Sequence, residues 1–429
     1  MKQSIFNTCI QLDNGFTIVY NAFSDKYVVC GSEAISIDGH QIQNCSELVR
    51  TRLEEIGAYV AEDVDEQRML EERIERVDND SACFELHVNP TLNCNFRCWY
   101  CYEEHLPGSK MDAATIEALC RLISLKLDET EGLKSFNLSF FGGEPLLYYS
   151  ETALPVIRHA VKACADRGVH LWLHFTTNAY LLSEQILESI GDVDASFQIT
   201  LDGAREQHDK VRFQAGGKGS YDAILSNARR AASYGKHIIL RINYTADSIA
   251  TVGSIADELR EFGSEKRNIT IDLQRVWQDN GCAADEERVQ DDVDRLYRLF
   301  RSEGFMCSTP YIRNSVLDSC YGDKRNSILI NYNGDAFFCT ARDFKSADRA
   351  GFLASDGRIV WENDALERRM AAKYKSAACR QCRIAPICGG GCRQRAVEMA
   401  GSDDCLVGFS DRERTERVVR RFEQMHIPA

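Results

Sequence analysis

The chain has 429 residues, enough for two or three domains, and its 44% hydrophobic and 27% charged residues are typical of a folded globular protein. No apolar run is long enough to span a bilayer, and a formal net charge of −14 argues against a nucleic-acid partner, which would need a basic surface. The first residues lack the apolar segment of a signal peptide, so we expect a cytoplasmic protein without a membrane partner.

Cysteine is the most informative residue type in this composition, with 18 copies. In a reducing cytosol thiols stay free rather than forming disulfides, and closely spaced thiolates are soft ligands for zinc or iron–sulfur clusters. Some of the cysteines are scattered, as small buried core residues would be. The others form two tightly spaced groups, which indicate metal chemistry.

Residues 1–83 predict a small α+β module. Short β-prone runs at 16–20 and 26–30 are separated by a polar turn, which indicates a hairpin. Apolar residues at helical spacing then predict helices over 46–59 and 66–77.

From residue 84 to 304 a strand followed by a helix occurs six times. This alternation predicts a parallel sheet with helices outside it, and right-handed crossovers would curl six such units into a partial (β/α)6 barrel of the TIM type. The predicted strands cover 84–89, 136–141, 171–177, 195–201, 237–245 and 269–276.

The alternation stops after residue 304, and residues 305–429 predict a separate Cys-rich C-terminal domain. Asn333-Gly334 predicts a tight hairpin between strands at 327–332 and 335–339, because this dipeptide favours the positive φ that such turns need. A charged helix over 412–425 ends the chain.

The first cysteine group follows the first barrel strand and consists of Cys94, Cys98 and Cys101, a CxxxCxxC spacing. Three thiolates on one loop can bind three irons of a 4Fe–4S cubane and leave the fourth iron open, whereas ferredoxin sites supply four cysteines. The alternative is a zinc site with His105 as a fourth ligand. Catalytic groups of β/α barrels lie on such loops, which favours the open cluster.

This loop resembles the hallmark of the radical S-adenosylmethionine (SAM) superfamily, in which an aromatic residue, here Tyr100, precedes the last cysteine. The resemblance implies that the open iron binds the amino and carboxylate groups of SAM. It further implies that one electron breaks a sulfonium C–S bond, and that the resulting 5′-deoxyadenosyl radical abstracts hydrogen from a substrate.

Further motifs of that superfamily follow in order along the predicted barrel. The segment 141–145 resembles its GGEP motif, and the segment 200–212 resembles its S-L-D-G segment with Thr in place of Ser. The resemblance implies that a set of residues at strand ends contacts SAM: Tyr100, Gly142, Gly143, Glu144, Thr177, Asn178, Thr200, Asp202 and Arg212.

The second cysteine group resembles the seven-cysteine pattern of the SPASM domain. Its members are Cys320, Cys339, Cys379, Cys382, Cys388, Cys392 and Cys405. The resemblance implies two auxiliary 4Fe–4S clusters, and therefore three clusters in all. One would be held by Cys379, Cys382, Cys388 and Cys405. The other would be held by Cys320, Cys339 and Cys392, with either Cys307 or an open iron at its fourth position.

Enzymes with a SPASM domain usually act on peptides, so the resemblance implies maturation of a ribosomally made precursor peptide, with a flavodoxin or ferredoxin as electron donor. Residues 1–83 would then either bind a leader peptide or only pack against the barrel. An anaerobic sulfatase-maturating activity is one alternative, although Thr340 follows Cys339 where that class carries Asp, and Asp343 is displaced. The remaining alternatives are a radical SAM dehydrogenase of a small molecule and a non-catalytic zinc adaptor.

Overall fold

The computed structural model describes residues 1–214, 216–279, 283–308 and 319–426. The strands are β1 (Lys2–Gln3), β2 (Asn7–Gln11), β3 (Phe16–Asn21), β4 (Lys26–Gly31), β5 (Ile35–Asp38), β6 (Gln41–Cys45), β7 (Tyr59–Val60), β8 (Cys83–Val88), β9 (Ser135–Phe140), β10 (His170–Thr177), β11 (Asp194–Leu201), β12 (His237–Tyr244), β13 (Ile269–Arg275), β14 (Met306–Cys307), β15 (Ser327–Ile330), β16 (Asp335–Phe337), β17 (Gly351–Leu353) and β18 (Ile359–Trp361).

The α-helices follow the same order along the chain. They are α1 (Glu47–Glu55), α2 (Glu66–Asp78), α3 (Ala113–Glu129), α4 (Ala153–Ala165), α5 (Glu184–Ile190), α6 (Arg205–Val211), α7 (Tyr221–Ser233), α8 (Gly253–Leu259), α9 (Ala283–Ser302), α10 (Ala365–Met370), α11 (Ala377–Arg380), α12 (Ala385–Cys388), α13 (Arg393–Glu398) and α14 (Asp411–His426). No helix among the described residues has both the length and the apolarity needed to cross a membrane.

The chain divides into two compact units. The barrel unit contains Ser81–Ser308 and Asn326–Asn363, and the terminal unit contains the described parts of Met1–Asp80, Thr309–Arg325 and Asp364–Ala429.

The barrel unit is built on one sheet in the order β14-β13-β12-β11-β10-β9-β8-β15-β16-β17-β18. The strands β8 to β13 are all parallel to their neighbours, and helices separate them in sequence. The predicted six-fold alternation is therefore confirmed. Its core includes a row of aromatic rings, in which Phe175 stacks on Phe140 at 5.1 Å and on Phe197 at 5.0 Å.

The barrel sheet also contains a segment that the sequence analysis assigned to the C-terminal domain. Strand β15 pairs in parallel with β8, and Ser327 lies opposite Glu85, so residues 326–363 pack with the barrel. The predicted hairpin is present, because β15 and β16 are antiparallel and Gly334 has φ +84° in the turn. A local sequence pattern predicts such a hairpin but not its distant partner strand.

The terminal unit combines the two ends of the chain. A three-stranded antiparallel sheet, β2-β3-β4, contains the predicted hairpin, and α1 and α2 match the predicted helices. One hydrophobic core joins Phe6, Tyr20 and Leu70 of the N-terminal module to Ile384 and Val418 of the C-terminal segment. The N-terminal module thus shares its apolar core with Cys379, Cys382 and Cys388 of the second cysteine group.

Candidate active site

The first cysteine group lies on the loop that follows β8 in the barrel unit. Cys94 is buried, and its Sγ accepts a hydrogen bond from the N–H of Phe96 at 3.4 Å. Burial, assisted by the negative charges of Glu144, Cys98 and Cys101, raises the pKa of the Cys94 thiol to about 12. Three crowded thiols in such surroundings ionise together only when a cation neutralises them, which is the state of metal-ligating cysteines.

Cys98 and Cys101 complete this group. Burial raises the pKa of the Cys98 thiol, and the nearby Arg212 guanidinium partly opposes that rise. The Sγ of Cys101 lies 3.5 Å from Nε2 of His105. In the part of the chain that the structure describes, no three His, Cys, Asp or Glu side chains converge in a way that could bind a single metal ion.

The glycine pair of the second motif packs against the cysteine loop. A Cβ atom on Gly142 would lie 2.4 Å from the carbonyl oxygen of Thr91, and one on Gly143 would lie 2.3 Å from that of Asn93. The N–H of Gly143 donates to the Thr91 oxygen at 3.1 Å, and the N–H of Glu144 donates to the Asn93 oxygen at 2.9 Å. These glycines thus allow two backbone segments to meet, and this contact fixes the start of the cysteine loop.

Glu144 holds the end of β10 against the same loop. One carboxylate oxygen accepts from the Thr177 hydroxyl at 2.7 Å and from the Leu146 N–H at 2.9 Å. The other accepts from the N–H of Asn178 at 2.8 Å. Burial raises the pKa of Glu144, and these hydrogen bonds oppose the rise. Asn178 in turn donates from Nδ2 to Asn95 Oδ1 at 2.8 Å. The same Nδ2 lies 4.0 Å from the Cys94 Sγ.

Tyr100, Asp202 and Arg212 form a buried polar chain. The Arg212 guanidinium donates to the Tyr100 hydroxyl at 2.9 Å, and that hydroxyl donates to Asp202 Oδ2 at 2.5 Å. Asn243, at the end of β12, also donates to the Tyr100 hydroxyl, at 3.2 Å. Burial raises the pKa of Asp202 to about 6, although Arg212, Tyr100 and Asn243 stabilise its charged form. Arg212 and Asp202, the cationic and anionic residues that the resemblance assigns to SAM binding, are therefore adjacent.

The His and Asp that precede Arg212 have structural roles. Nδ1 of His208 accepts from the Asp202 N–H at 3.2 Å, and its Nε2 lies 3.0 Å from the Ser220 hydroxyl, which donates to the Arg212 carbonyl at 2.6 Å. The ring is therefore neutral, with its proton on Nε2. Burial lowers the pKa of His208 to about 2. Asp209 accepts from the N–H groups of Ser220 and Tyr221 at the start of α7.

Glu103, two residues after Cys101, was not singled out by the sequence analysis. Among the described residues, nothing hydrogen-bonds to its two buried carboxylate oxygens. Burial raises its pKa to about 8, with a further contribution from Asp343. Asp343 itself pairs with Lys345 at 3.0 Å. No motif flagged Glu103, because its surroundings come from a segment 240 positions further along the chain.

The residues of this site fit a 4Fe–4S cluster with SAM. The donor set is three thiols from one loop, close to a buried guanidinium and a carboxylate. Within the described residues, Arg212 Nε has no hydrogen-bond partner although it is buried, so a donor remains for an anionic ligand. Thr200 lies on β11 opposite Arg241 of β12, on the strand that leads to Asp202.

Two residues of this network were missed at the sequence level. Asn243 donates to the Tyr100 hydroxyl, and Gln278 Nε2 donates to the Tyr100 carbonyl at 2.8 Å. Asn243 could have been found, because polar residues at the carboxyl ends of parallel strands line the sites of such sheets. Gln278 lies in a loop without a recognisable motif.

Four cysteines of the second group line a small cavity in the terminal unit. They are Cys379, Cys382, Cys388 and Cys405, together with apolar neighbours that include Leu406 and Phe409. Burial raises the pKa values of the first three thiols, that of Cys388 to about 11. Four thiols around one cavity match the donor set of a 4Fe–4S cluster.

Cys405 differs from these three thiols. Its pKa is lowered, because hydrogen bonds from the N–H groups of Phe409, Val407 and Gly408, and from the Arg414 side chain, outweigh burial. Gly408 has φ +82°, which turns the backbone so that successive N–H groups face the sulfur. This loop is therefore organised for a thiolate.

The other predicted ligands are distributed over both units. Cys320 and Cys392 belong to the terminal unit, whereas Cys339 and Cys307 belong to the barrel unit. The Cys307 thiol contacts the carbonyl oxygens of Tyr297 and Phe305 at 3.9 Å and packs against the barrel core. The second auxiliary cluster stays a prediction from sequence.

Comparisons with known proteins agree with this arrangement. Residues 88–259 match the family model described as the radical SAM superfamily. A cysteine-type anaerobic sulfatase-maturating enzyme of Clostridium novyi (strain NT) is 29% identical over 144 residues, which cover 32% of this chain. The match spans 37% of that enzyme's length.

Two solved structures share most of the fold. Native anSMEcpe with bound AdoMet aligns with a TM-score of 0.59 and 17% identity, over 80% of this chain and 98% of that one. Streptococcus suis SuiB bound to precursor peptide SuiA aligns with a TM-score of 0.54 and 15% identity, over 95% of this chain and 100% of that one. At these identities the likeness establishes a common fold.

Proposed function

Because residues 88–259 of this chain belong to the radical SAM superfamily, we propose that it is an enzyme that modifies a ribosomally made peptide. When bound, a 4Fe–4S cluster and SAM supply a 5′-deoxyadenosyl radical, which abstracts a hydrogen atom from the substrate. The observation that carries the proposal is the convergence, in the barrel unit, of three cysteines with the polar ends of β9, β10, β11 and β12.

The chain's own residues have separable tasks in this proposal. Cys94, Cys98 and Cys101 bind three irons. Arg212 supplies positive charge for the carboxylate of SAM, and it already approaches Cys98 closely enough to favour the thiolate. Asp202 accepts hydrogen bonds from ligand donors and is kept in position by the Tyr100 hydroxyl.

Glu144 is one of the residues that the resemblance assigns to SAM, and its carboxylate suits an ammonium group. Its two oxygens already accept three hydrogen bonds from the chain, so its main task in this proposal is to fix Thr177 and Asn178 beside the cysteine loop. Oε2 accepts one of these three bonds and has further acceptor capacity, so an ammonium group can still bind there.

A second cluster is proposed in the four-cysteine cavity of the terminal unit. The thiols of Cys379, Cys382, Cys388 and Cys405 surround one cavity, which supports the set of ligands that the seven-cysteine pattern implies. With the set that includes Cys320, Cys339 and Cys392, the full proposal is three 4Fe–4S clusters, reduced by a flavodoxin or ferredoxin in a cytoplasmic setting.

Two observations support a peptide rather than a small-molecule substrate. The solved structures that share this fold include one bound to a precursor peptide, and the alignment covers the N-terminal module as well as the barrel. In that module β4 lies at one edge of the sheet β2-β3-β4, where an extended leader peptide could add as a further strand. We propose that residues 1–83 bind the leader in this way.

The sulfatase-maturating alternative is favoured by sequence similarity but not by the local residues. The Clostridium novyi relative supports it, whereas Thr340 occupies the position after Cys339 and the Asp343 carboxylate is paired with Lys345. A peptide carrying a sulfatase-type Cys or Ser target therefore serves as the competing substrate in the test.

The test uses the anaerobically reconstituted full chain with SAM and dithionite. We expect 5′-deoxyadenosine to be released by the native protein and by Cys120→Ser, and to be absent in Cys94→Ala, Cys98→Ala and Cys101→Ala. Cys120 is a suitable control because it is a partly buried thiol on α3, outside both cysteine groups.

Substrate class is tested by incubation with each peptide encoded by a short reading frame adjacent to the gene, followed by mass spectrometry. A loss of two mass units supports peptide maturation, and so does a mass that is unchanged in ordinary water but rises by about one unit in deuterated solvent. Conversion of only the sulfatase-type peptide to an aldehyde product supports the competing assignment. Turnover of neither peptide, with abundant 5′-deoxyadenosine release, contradicts a peptide substrate.

A further inference from the structure

The four-cysteine cavity of the terminal unit lies beside one face of the C-terminal helix α14. Arg414 of this helix hydrogen-bonds to the Cys405 sulfur. Its positive charge also favours the thiolates of Cys379 and Cys382. One guanidinium therefore faces three of the four cysteines that line the cavity.

Arg417, one helical turn later, faces the fourth. Its guanidinium stacks on the ring of Phe409, which lines the cavity, with 4.3 Å between the guanidinium carbon and the ring centroid. It also interacts electrostatically with Cys388. The i, i+3 spacing puts both arginines on one side of α14, and between them they interact with all four cysteines.

The position of α14 is fixed at several points within the terminal unit. Arg383 donates to the Asp411 carbonyl at 3.0 Å and to the Thr415 hydroxyl at 2.8 Å. Arg421 pairs with Asp25 of the N-terminal module, and Val418 is fully buried. Helix α14 is therefore held in place, and this fixes the position from which the Arg414 guanidinium reaches Cys405.

Arginines beside a cavity normally turn their polar atoms to water or to a carboxylate. Here the Nε atoms of both Arg414 and Arg417 are buried and, among the described residues, have no hydrogen-bond partner. A group bound in the cavity would offer acceptors to such donors. A 4Fe–4S cluster with four thiolates is a dianion when oxidised and a trianion when reduced, so its sulfurs are suitable acceptors.

We propose that Arg414 is the electrostatic partner of the cluster bound by Cys379, Cys382, Cys388 and Cys405, and that it raises the reduction potential of that cluster. This inference rests on the cluster assigned to the cavity under the proposed function. A cation next to a cluster stabilises the more negative, reduced state, and a hydrogen bond to a ligating sulfur acts in the same direction.

The test compares Arg414→Gln with Arg412→Gln in the full chain. Arg412 is on the same helix, but its side chain is 89% exposed and pairs with Glu416 at the surface, so it controls for charge at a distance. Both substitutions are made in a Cys94→Ala/Cys98→Ala/Cys101→Ala background, which removes the SAM-binding cluster. The signal of interest is the one that disappears when Cys379→Ala is added.

Reduction is followed by electron paramagnetic resonance (EPR) during an anaerobic potentiometric titration. We expect Arg414→Gln to lower the ratio of reduced to oxidised cluster at a fixed potential by about tenfold, which is 59 mV for a one-electron couple. Arg412→Gln should leave this ratio unchanged, and Arg414→Lys should restore most of it. Should Arg414→Gln lose its iron, Arg417→Gln is titrated in its place, with the same direction expected.

The possible outcomes distinguish failure of this inference from failure of the proposed function on which it rests. A full complement of iron in Arg414→Gln with a potential equal to that of Arg412→Gln overturns the role of Arg414 but leaves the cluster in place. Loss of iron from both Arg414→Gln and Arg414→Lys, with Arg417→Gln unshifted, also overturns it. An unchanged iron content after Cys379→Ala and Cys405→Ala contradicts the cluster itself.

Discussion

Gly143 packs directly on the backbone of Asn93, with its own Cα so close that an added Cβ would lie 2.3 Å from the Asn93 carbonyl oxygen. The contact joins the turn after β9 to the loop that begins the first cysteine group. The absence of a side chain at Gly143 is therefore a condition for the geometry of the cluster-binding loop.

We expect Gly143→Ala to push these two segments apart. Because the obstructing atom is backbone, the strain cannot be relieved by a rotamer change, and the cost should be about 1–3 kcal/mol of unfolding free energy. Iron content after anaerobic reconstitution should fall in parallel. Gly216→Ala is the control, since nothing lies within 4 Å of a Cβ there. Equal iron contents in the two variants would show that the contact is dispensable.

Tyr100→Phe should weaken SAM binding. The hydroxyl accepts from Arg212 and Asn243 and donates to Asp202, so its removal leaves buried polar groups unpaired, at about 1–3 kcal/mol. We expect the dissociation constant for SAM to rise about tenfold or more. Equilibrium binding to the reconstituted protein measures it. Tyr102→Phe, at a 40% exposed position two residues away, should bind SAM as the native protein does.

The terminal unit should depend on a buried ion pair between Asp78 at the end of α2 and Arg393 at the start of α13. The two side chains are each 2% exposed and meet at 2.5 Å. Arg393→Met removes the guanidinium that contacts this carboxylate and leaves Lys373 as a nearby cation, so we expect a loss of about 3 kcal/mol in unfolding free energy. Urea titration measures it.

The matched control for Arg393→Met is Arg68→Met, which removes a surface ion pair from α2, the helix that carries Asp78. Arg68 pairs with Glu72 at the surface, where both side chains are more than half exposed, and such pairs contribute less than about 1 kcal/mol. A similar loss in the two variants would contradict the importance of burial.

His208 should make stability depend on pH. The folded ring stays neutral, since burial lowers its pKa to about 2, whereas an unfolded histidine binds a proton near pH 6.5. As the pH falls below 6.5, only the unfolded chain gains this proton, so stability decreases, by about 2 kcal/mol between pH 7 and pH 5.

Replacement by Asn preserves an acceptor for the Asp202 N–H but removes the titrating ring. His208→Asn should therefore be less stable at pH 7 but lose about 2 kcal/mol less than the native protein on acidification to pH 5. Urea unfolding at the two pH values tests this. His170→Asn, at an exposed position, should keep the native pH dependence. An identical loss of stability between pH 7 and pH 5 in the native protein, His208→Asn and His170→Asn would contradict the assignment of this pH dependence to His208.

The local sequence pattern was sufficient to predict much of the fold. Strands β8 to β13 were predicted within about two residues, because a parallel sheet leaves a strong alternation of apolar strands and helices. The cysteine spacing and the strand-end motifs also predicted Tyr100, Asp202 and Arg212, which prove to be in contact.

Long-range pairing could not be read from the sequence. Strand β15 joins β8 across some 240 residues, and Asp78 meets Arg393 across 315. Neither partner carries a local signal of the other. The same applies to Arg414, which appeared in the sequence only as one of several charges in a helix, since nothing in a helical charge pattern identifies the side that will face a cavity.

The most direct measurement of the central claim is the EPR spectrum of the reduced protein before and after addition of SAM. If Cys94, Cys98 and Cys101 hold a cluster with one open iron, SAM should change the spectrum of that cluster. The same addition should have no effect on the Cys94→Ala/Cys98→Ala/Cys101→Ala variant. A spectrum of the native protein that does not respond to SAM, or zinc in place of iron in this loop, would contradict the account.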